Sequence, residues 1–400
     1  MSDEHLDPSH LETLDRDLGR LSTLEQATAY VSRPMMGFGI ALLFVVFAGL
    51  VAALVFGQTN NTFIVVVAAA FGAYMALNIG ANDVANNMGP AVGANAMSMG
   101  AAIVIAAIFE SAGALLAGGD VVSTIAKGII APESLGTSGA FISAMMAALL
   151  ASALWVNLAT WVGAPVSTTH SVVGGVMGAG IAAAGFAAVS WGQMSAIAAS
   201  WVISPLLGGL IAAGFLWFIK ARIIYRDDKI AAARTWVPVL VGIMAGAFAS
   251  YLAVKGLKKI VKIDLGSALM IGVAVAVIAW LIMIPVVRKQ SANLENRNKS
   301  LKVLFGIPLI VSAALLSFAH GANDVANAVG PLAAIVQASS TGDFTHAVEI
   351  PLWAMVIGAL PFSLVMVLMC LGLFKAIYND GIREKNGVPS IYPAAADPAE

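Results

Sequence analysis

The sequence is short of charged residues and of cysteine. Only 11% of the 400 residues are charged, whereas an ordinary soluble chain carries roughly 25%. The net charge of −1 gives no basic footprint for nucleic acid. The single cysteine, Cys370, excludes an internal disulfide bond. These shortages favour a membrane protein over a soluble, disulfide-bonded or nucleic-acid-binding one.

The first 34 residues lack the features of a secretory signal, which needs a basic start followed directly by a short apolar run. Seven residues of this segment are acidic and three are arginines. We interpret residues 1–34 as a solvated, acidic, cytoplasmic extension, and residues 375–400 as a polar C-terminal tail.

Hydrophobic residues make up 60% of the chain and are grouped in long blocks. A helix of about twenty residues spans the ~30 Å hydrocarbon core of a bilayer. Ten such blocks occur, at residues 35–57, 62–78, 99–117, 139–162, 171–189, 195–219, 236–254, 266–287, 301–319 and 351–374. The predicted fold is an all-α, polytopic membrane protein with about ten transmembrane helices. Polar segments near 80–90, 163–170 and 320–331 are candidates for re-entrant or unwound backbone.

Basic residues are concentrated in two links, residues 220–235 after the sixth block and residues 288–302 after the eighth. The positive-inside rule places both links and the N-terminus in the cytoplasm. Four lysines between the seventh and eighth blocks lie on the external side in this count. The link at 220–235 divides a first transmembrane half, residues 35–219, from a second half, residues 236–374.

One polar heptapeptide, GANDVAN, occurs twice. Residues 80–86 form the first copy and residues 321–327 the second, and a Gly-Pro pair follows each copy closely. Seven crossings separate the copies in this count, and an odd number means that they enter the membrane from opposite faces. Inverted repeats of this kind build the midplane site of many secondary transporters.

Each copy places a carboxylate in the membrane, where it costs at least a few kcal/mol unless it is paired, protonated or hydrated. Carboxylate and amide oxygens suit sodium or a similar hard cation. Asp83 and Asp324 are therefore candidate sodium ligands, and neighbouring amides can add oxygens. These amides are Asn82, Asn86, Asn323 and Asn327. The competing interpretation is that Asn and Gly only kink or join helices, which gives the aspartates no role.

A second polar segment, Gly163 to Ser171, is rich in hydroxyl groups. Its proline starts or breaks a helix, so Ser167, Thr168 and Thr169 lie at a helix N-terminus. The helix dipole favours an anion there, and a tetrahedral oxyanion is a natural ligand. The alternative is that these hydroxyls bond back to the preceding helical turn.

Three further ionisable residues lie near these segments. Glu110 is the only charge in the third block, which makes it a candidate cation ligand or proton carrier, with a structural partner elsewhere as the alternative. His170 and His320 flank the two sites, where each can titrate or serve packing.

The aspartates and the hydroxyl segment belong together by charge. Two aspartates would repel an anion unless cations or protons neutralised them first. Once they are neutralised, anion binding becomes favourable, and this reciprocal stabilisation is the coupling free energy that a symporter needs.

These motifs resemble one family. Both GANDVAN copies, the PVSTTH segment at 165–170, Phe109-Glu110 and the GGDV segment at 118–121 are similar to those of inorganic phosphate transporters of the low-affinity bacterial type. That family is related to the sodium-dependent phosphate carriers of animals. The resemblance covers roughly residues 35–358.

The resemblance implies a phosphate symporter with inverted repeats, working by alternating access. It implies sodium or a proton as the coupling ion and no cofactor, in a multi-pass protein of the cell (inner) membrane bilayer that forms a homodimer. The expected phosphate ligands are Ser167, Thr168, Thr169, Asn82 and Asn323. The expected cation ligands are Asp83, Asp324, Asn86, Asn327 and Glu110.

The sequence departs from the family in its second half. The family normally has another PVSTTH-like motif after the second GANDVAN copy, and this sequence has none. From about Gly358 it resembles instead the final helix of betaine and choline transporters. We therefore expect impaired transport.

Three alternatives stay open. The first is a symporter for another oxyanion, such as sulfate. The second is an intramembrane aspartyl protease, in which the two aspartates share a proton; such a dyad needs neither the amides nor the Ser-Thr-Thr cluster. The third is a channel or scaffold, for which solute accumulation would not depend on an ion gradient.

Overall fold

The computed structural model describes residues 38–57, 61–119, 125, 128–256, 263–342 and 350–360. The extension at 1–34, the tail at 375–400 and the segment from 361 onward lie outside these ranges. The described residues from 45 to 360 belong to one compact unit.

Helices account for almost all of the described chain, which contains no strand in those ranges. They are α1 (Phe38–Phe56), α2 (Thr62–Gly93), α3 (Met99–Ala117), α4 (Ser138–Trp161), α5 (Thr168–Ala184), α6 (Trp191–Ile219), α7 (Lys229–Lys255), α8 (Leu265–Gln290), α9 (Asn298–Thr341) and α10 (352–360). Each overlaps one predicted apolar block, although α2 and α9 continue well past theirs, so the helical membrane fold is confirmed. Within the described ranges, eight helices are long and apolar enough to cross a membrane, and α5 and α10 are shorter.

Polar residues mark the start of several helices. An N-terminal cap forms when a side-chain oxygen accepts a backbone N–H of the first turn. Such caps begin α3, α4, α5, α7 and α8, at Ser98, Thr137, Ser167, Asp228 and Asp264. These local signals explain why the helix starts lie within a few residues of the block edges, except for α7, which begins earlier.

The two GANDVAN copies lie inside unbroken helices. α2 and α9 continue through them and include Pro90 and Pro331, so backbone at 80–90 and 320–331 is helical rather than unwound. A proline removes the N–H that would bond the carbonyl four residues earlier, here that of Asn86 or Asn327. The remaining turns stay helical because backbone groups at membrane depth have no water to replace their helical partners.

The predicted unwound backbone is found between α4 and α5. Gly163 adopts a left-handed φ of 72°, which ends α4. The N–H of Gly163 donates to the carbonyl of Thr160, and the N–H of Ala164 donates to that of Ala159. This pair of bonds is a Schellman ending, and Pro165 then prevents the helix from continuing. Residues 163–167 therefore form an irregular segment that leads into α5.

α9 is the central helix of the site, because it packs against α2, α3, α4 and α7. Its crossing with α3 is very close. A side chain at Gly321 would overlap the backbone of Glu110, and one at Gly113 would overlap the carbonyl of Phe318. Two glycines thus let the backbones of α3 and α9 touch.

We expect Gly321→Ala to lower the free energy of unfolding by about 1–3 kcal/mol, the usual cost of overpacking, because its Cβ has no space against α3. Gly306→Ala, in the same helix, is the control, since no heavy atom lies within 4 Å of its added Cβ. Thermal unfolding of the purified variants in detergent measures the difference. Equal melting temperatures would contradict the close crossing.

Candidate ion and anion site

A polar cavity of about 290 Å³ lies where α2, α9 and the 163–167 segment meet. Its wall contains residues of both GANDVAN copies and of the hydroxyl segment: Asp83, Asn86, Val166, Ser167, Thr168, Thr169, His320 and Asp324. Six of the ten ligands expected from the sequence belong to this wall. Packing of the helices therefore brings motifs from distant parts of the chain to one place.

Two carboxylates and an imidazole face one another in the cavity. Nε2 of His320 lies 3.1 Å from Oδ2 of Asp324 and 3.6 Å from Oδ2 of Asp83. One ligand atom from each residue lies within 4.8 Å of the other two. Asp83 is buried, and the other two are half-buried. Two anionic oxygens at this spacing can hold a small cation, and the imidazole can add a nitrogen ligand.

The other oxygen of Asp324 is a meeting point for hydrogen-bond donors. Oδ1 accepts the hydroxyls of Thr168 at 3.2 Å and Thr169 at 3.1 Å, and the side-chain amide of Asn327 at 2.9 Å. The Asn327 amide also contacts both threonine hydroxyls, at 3.3 and 3.1 Å. Donors from α5 and α9 thus replace the water that this carboxylate loses on burial.

The N-terminus of α5 supplies the candidate anion site. Ser167 caps the helix, because its Oγ accepts the N–H of His170 at 3.2 Å. The N–H groups of Thr168 and Thr169 belong to the first turn, where no helical carbonyl reaches them. Hydroxyls and free N–H groups at a positive helix end form a suitable environment for an oxyanion.

Asn82 is directed to the 163–167 segment and is not part of the cavity wall. Its amide donates to Oγ1 of Thr160 at 2.9 Å and to the carbonyl of Ala164 at 3.4 Å. Its Oδ1 accepts the N–H of Val166 at 3.3 Å. The side-chain amide of Asn82 therefore holds the irregular segment against α2 through both its nitrogen and its oxygen.

Asn323, the equivalent residue of the second copy, is exposed and lies outside the cavity wall. Its side chain makes no hydrogen bond to any residue that the structure describes. The structure therefore brings neither of the two asparagines expected as phosphate ligands to the wall of the cavity. Asn86, by contrast, lies in the wall and donates to Oδ1 of Asp83 at 3.4 Å.

Glu110 is fully buried and contacts His320 from α3. Its Oε1 lies 3.3 Å from Nδ1 of His320 and accepts the amide of Asn87 at 2.8 Å. Glu110 is not among the residues lining the cavity. This position fits a partner that orients the imidazole better than it fits a direct cation ligand.

Some contacts of the site had no clear signal in the sequence. Asn87 follows the first GANDVAN copy directly, but the second copy has Ala328 there, so comparing the repeats does not mark it. Thr160 lies in an apolar helix and bonds its own preceding turn, at the carbonyl of Val156. His170 packs edge-on against Trp201, with ring centroids 3.9 Å apart.

The fold and the site together define a polytopic membrane protein with a polar cavity between two copies of one motif. Residues 79–378 match the phosphate transporter family, and the chain belongs to this family. The matched range includes residues after Gly358.

Similar proteins come from distant organisms. A protein of Helicobacter pylori strain J99 named as a phosphate permease is 48% identical over 91% of this chain and 69% of its own length. The chloroplastic inorganic phosphate transporter 2-1 of Arabidopsis thaliana is 37% identical over 70% of this chain and 51% of its own length. A solved structure named as the sodium-dependent phosphate transporter is 35% identical, covers 77% of each chain, and has a TM-score of 0.72.

We expect Asn82→Ala to loosen the 163–167 segment, because it removes the acceptor of the Val166 N–H and two further bonds. Backbone hydrogen exchange around Val166 should then rise about tenfold, as expected for roughly 1.4 kcal/mol of lost hydrogen bonding. Mass spectrometry of the purified protein measures this exchange.

Asn323→Ala is the matched control, since it changes the same motif position without removing a hydrogen bond in the described structure. Its exchange around Val166 should equal that of the unmodified protein. A similar rise in both variants would show that the segment is not held by Asn82.

Proposed function

We propose that this protein is a cation-coupled symporter of inorganic phosphate that works by alternating access across the cell (inner) membrane. The position of Asp324 carries the proposal. Its Oδ2 faces His320 at 3.1 Å, and its Oδ1 accepts the hydroxyls of Thr168 and Thr169. One carboxylate therefore belongs both to the candidate cation site and to the candidate anion site.

Sodium is the proposed coupling ion, with Asp83 and Asp324 as its charged ligands. Carboxylate oxygens are hard ligands, and Asn86 can contribute an amide or backbone oxygen because it lies in the same wall. The similar solved structure is named as sodium-dependent, which supports sodium over the proton. No cofactor is required by this chemistry.

Phosphate is the proposed substrate, bound by Ser167, Thr168 and Thr169 at the N-terminus of α5. A tetrahedral oxyanion can accept the hydroxyls and the first-turn N–H groups together. Sulfate has the same shape, so the geometry alone supports both anions. Membership of the phosphate transporter family favours phosphate.

Competition for Asp324 explains the coupling. While the hydroxyls of Thr168 and Thr169 donate to the Asp324 carboxylate, they are not available to phosphate. The carboxylates of the cavity also repel an anion. A sodium ion between Asp83 and Asp324 would offset their negative charge and compete for the carboxylate, which frees the hydroxyls for phosphate. Because each ligand then favours the other, the two binding free energies are linked.

Several further features belong to the same proposal. We propose that the two GANDVAN copies belong to inverted repeats, whose exchange of orientation opens the cavity to each side in turn. We also propose that the protein forms a homodimer. A protease dyad is disfavoured, because His320 contacts both aspartates, whereas a dyad needs the two carboxylates to share a proton.

Radiolabelled phosphate uptake into proteoliposomes tests the proposal directly. We expect accumulation under an inward sodium gradient, slowed by the missing second PVSTTH-like motif, and none above background under a proton gradient alone. Asp83→Asn should reduce sodium-driven uptake at least about tenfold, the usual range for a disturbed metal site. Asp264→Asn is the control, since asparagine can still cap α8.

Accumulation driven by a proton gradient alone would show that the proton, and not sodium, is the coupling ion. Phosphate entry without any gradient dependence would favour a channel. Competition by sulfate as strong as that by unlabelled phosphate would contradict the proposed substrate.

We expect Thr168→Val to weaken phosphate binding about tenfold, because it deletes one buried hydroxyl donor at nearly constant shape. Sodium affinity should change less. Isothermal titration of the purified protein with each ion measures both effects. Thr235→Val is the control, since the Thr235 hydroxyl bonds only the carbonyl of Ala231 in its own exposed helical turn. Unchanged phosphate affinity in Thr168→Val would exclude this hydroxyl from the site.

A further inference from the structure

A strongly basic surface lies at one end of helices α6 to α9, away from the cavity. Residues 220–234 contain five basic and two acidic residues, and residues 288–302 contain five basic and one acidic residue. These two segments are separate in the sequence. We call their exposed Lys and Arg side chains the basic face.

Hydrogen bonds join the two segments into one surface. Asn296 accepts the backbone N–H of Lys229 at 2.9 Å and donates to the carbonyl of Asp227 at 2.6 Å. The guanidinium of Arg234 donates to Oγ of Ser291 at 2.6 Å and to its carbonyl at 3.0 Å. The N-termini of α7 and α9 and the C-terminus of α8 therefore share this end of the protein.

An apolar cluster supports the basic face from below. Ile223, Ile230, Val287 and Leu304, from both segments and their helices, are buried together in it. With the apolar side chains buried, the charged ones are left at the surface, where nine of the ten are exposed. The basic face is thus a defined surface rather than two independent loops.

Few acidic groups neutralise this surface. Asp228 accepts the N–H of Ala231 as the cap of α7, and Glu295 pairs with Arg297. Among the described residues, Glu295–Arg297 is the only ion pair on the basic face. A net positive charge therefore stays available to an anionic partner.

The neighbouring helix places the basic face at the membrane boundary. α6 contains no buried residue, and its long apolar surface is suited to lipid chains. Near its C-terminal end, Trp217 and Tyr225 are 71% and 72% exposed. Amphipathic aromatic side chains are typical of the headgroup region. Lys220 and Arg222 lie between these two aromatic residues in the sequence.

We propose that the basic face binds the headgroups of anionic phospholipids. A cluster of Lys and Arg directly beside transmembrane helices is attractive to such lipids. Arg also matches phosphate oxygens through two parallel N–H donors. A lipid is the occupant that fits both features at once, because its headgroup meets the charges while its chains lie along the apolar surface of α6.

Spin-labelled lipids in a phosphatidylcholine bilayer test the proposal on the purified, reconstituted protein. At low salt, the protein should associate several-fold more strongly with labelled phosphatidylglycerol than with labelled phosphatidylcholine. The preference should fall towards unity at high salt, since exposed charges are screened. Combined Arg288→Gln, Lys289→Gln, Lys299→Gln and Lys302→Gln should remove most of it.

The matched control removes four positive charges elsewhere. Combined Lys255→Gln, Lys258→Gln, Lys259→Gln and Lys262→Gln changes the link between α7 and α8, and should keep the lipid preference. Equal loss in both variants, or no preference in the unmodified protein, would overturn the proposal. Loss of the preference on adding inorganic phosphate at constant ionic strength would also overturn it, since the face would then bind a free anion. None of these measurements depends on transport.

Discussion

A carboxylate at membrane depth loses its hydration, and protein groups must replace that water. Asp324 shows how this constraint shapes the site. Its Oδ1 receives three donors, from two residues of α5 and one of α9, and its Oδ2 faces His320. The irregular segment before α5 leads the two threonines to it, and the continuous helix α9 places Asn327 one turn after it. The solvation of one carboxylate therefore depends on both elements.

Helix packing serves the same site from the side of α3. Gly113 and Gly321 let the backbones of α3 and α9 touch, and this contact places Glu110 beside His320. The glycine of the second GANDVAN copy is thus a packing residue. The chemistry of the motif and its close packing are parts of one arrangement, since a wider crossing would separate the imidazole from the buried Glu110.

The two GANDVAN copies have the same sequence and different contacts. Asn82 holds the irregular segment, while Asn323 is exposed. Asn327 donates to Asp324 and to two hydroxyls, whereas Asn86 makes a longer bond to Asp83. The difference arises because the first copy contacts the irregular segment before α5, at Val166, whereas the second copy contacts the first turn of α5, at Thr168 and Thr169. A repeated motif therefore supplies one asparagine that holds the irregular segment and another that contacts the Asp324 carboxylate.

The sequence by itself determined the helices and the set of polar residues. Apolar block length acts locally, so the ten blocks are readable without a structure. Gly163 and Pro165 likewise marked the irregular segment. Only the tertiary structure decided that α2 and α9 stay helical through the motifs, that Asn82 faces a loop, and that Glu110 supports His320. These outcomes depend on which helices touch and how closely, and such long-range packing is not encoded in any short stretch of residues.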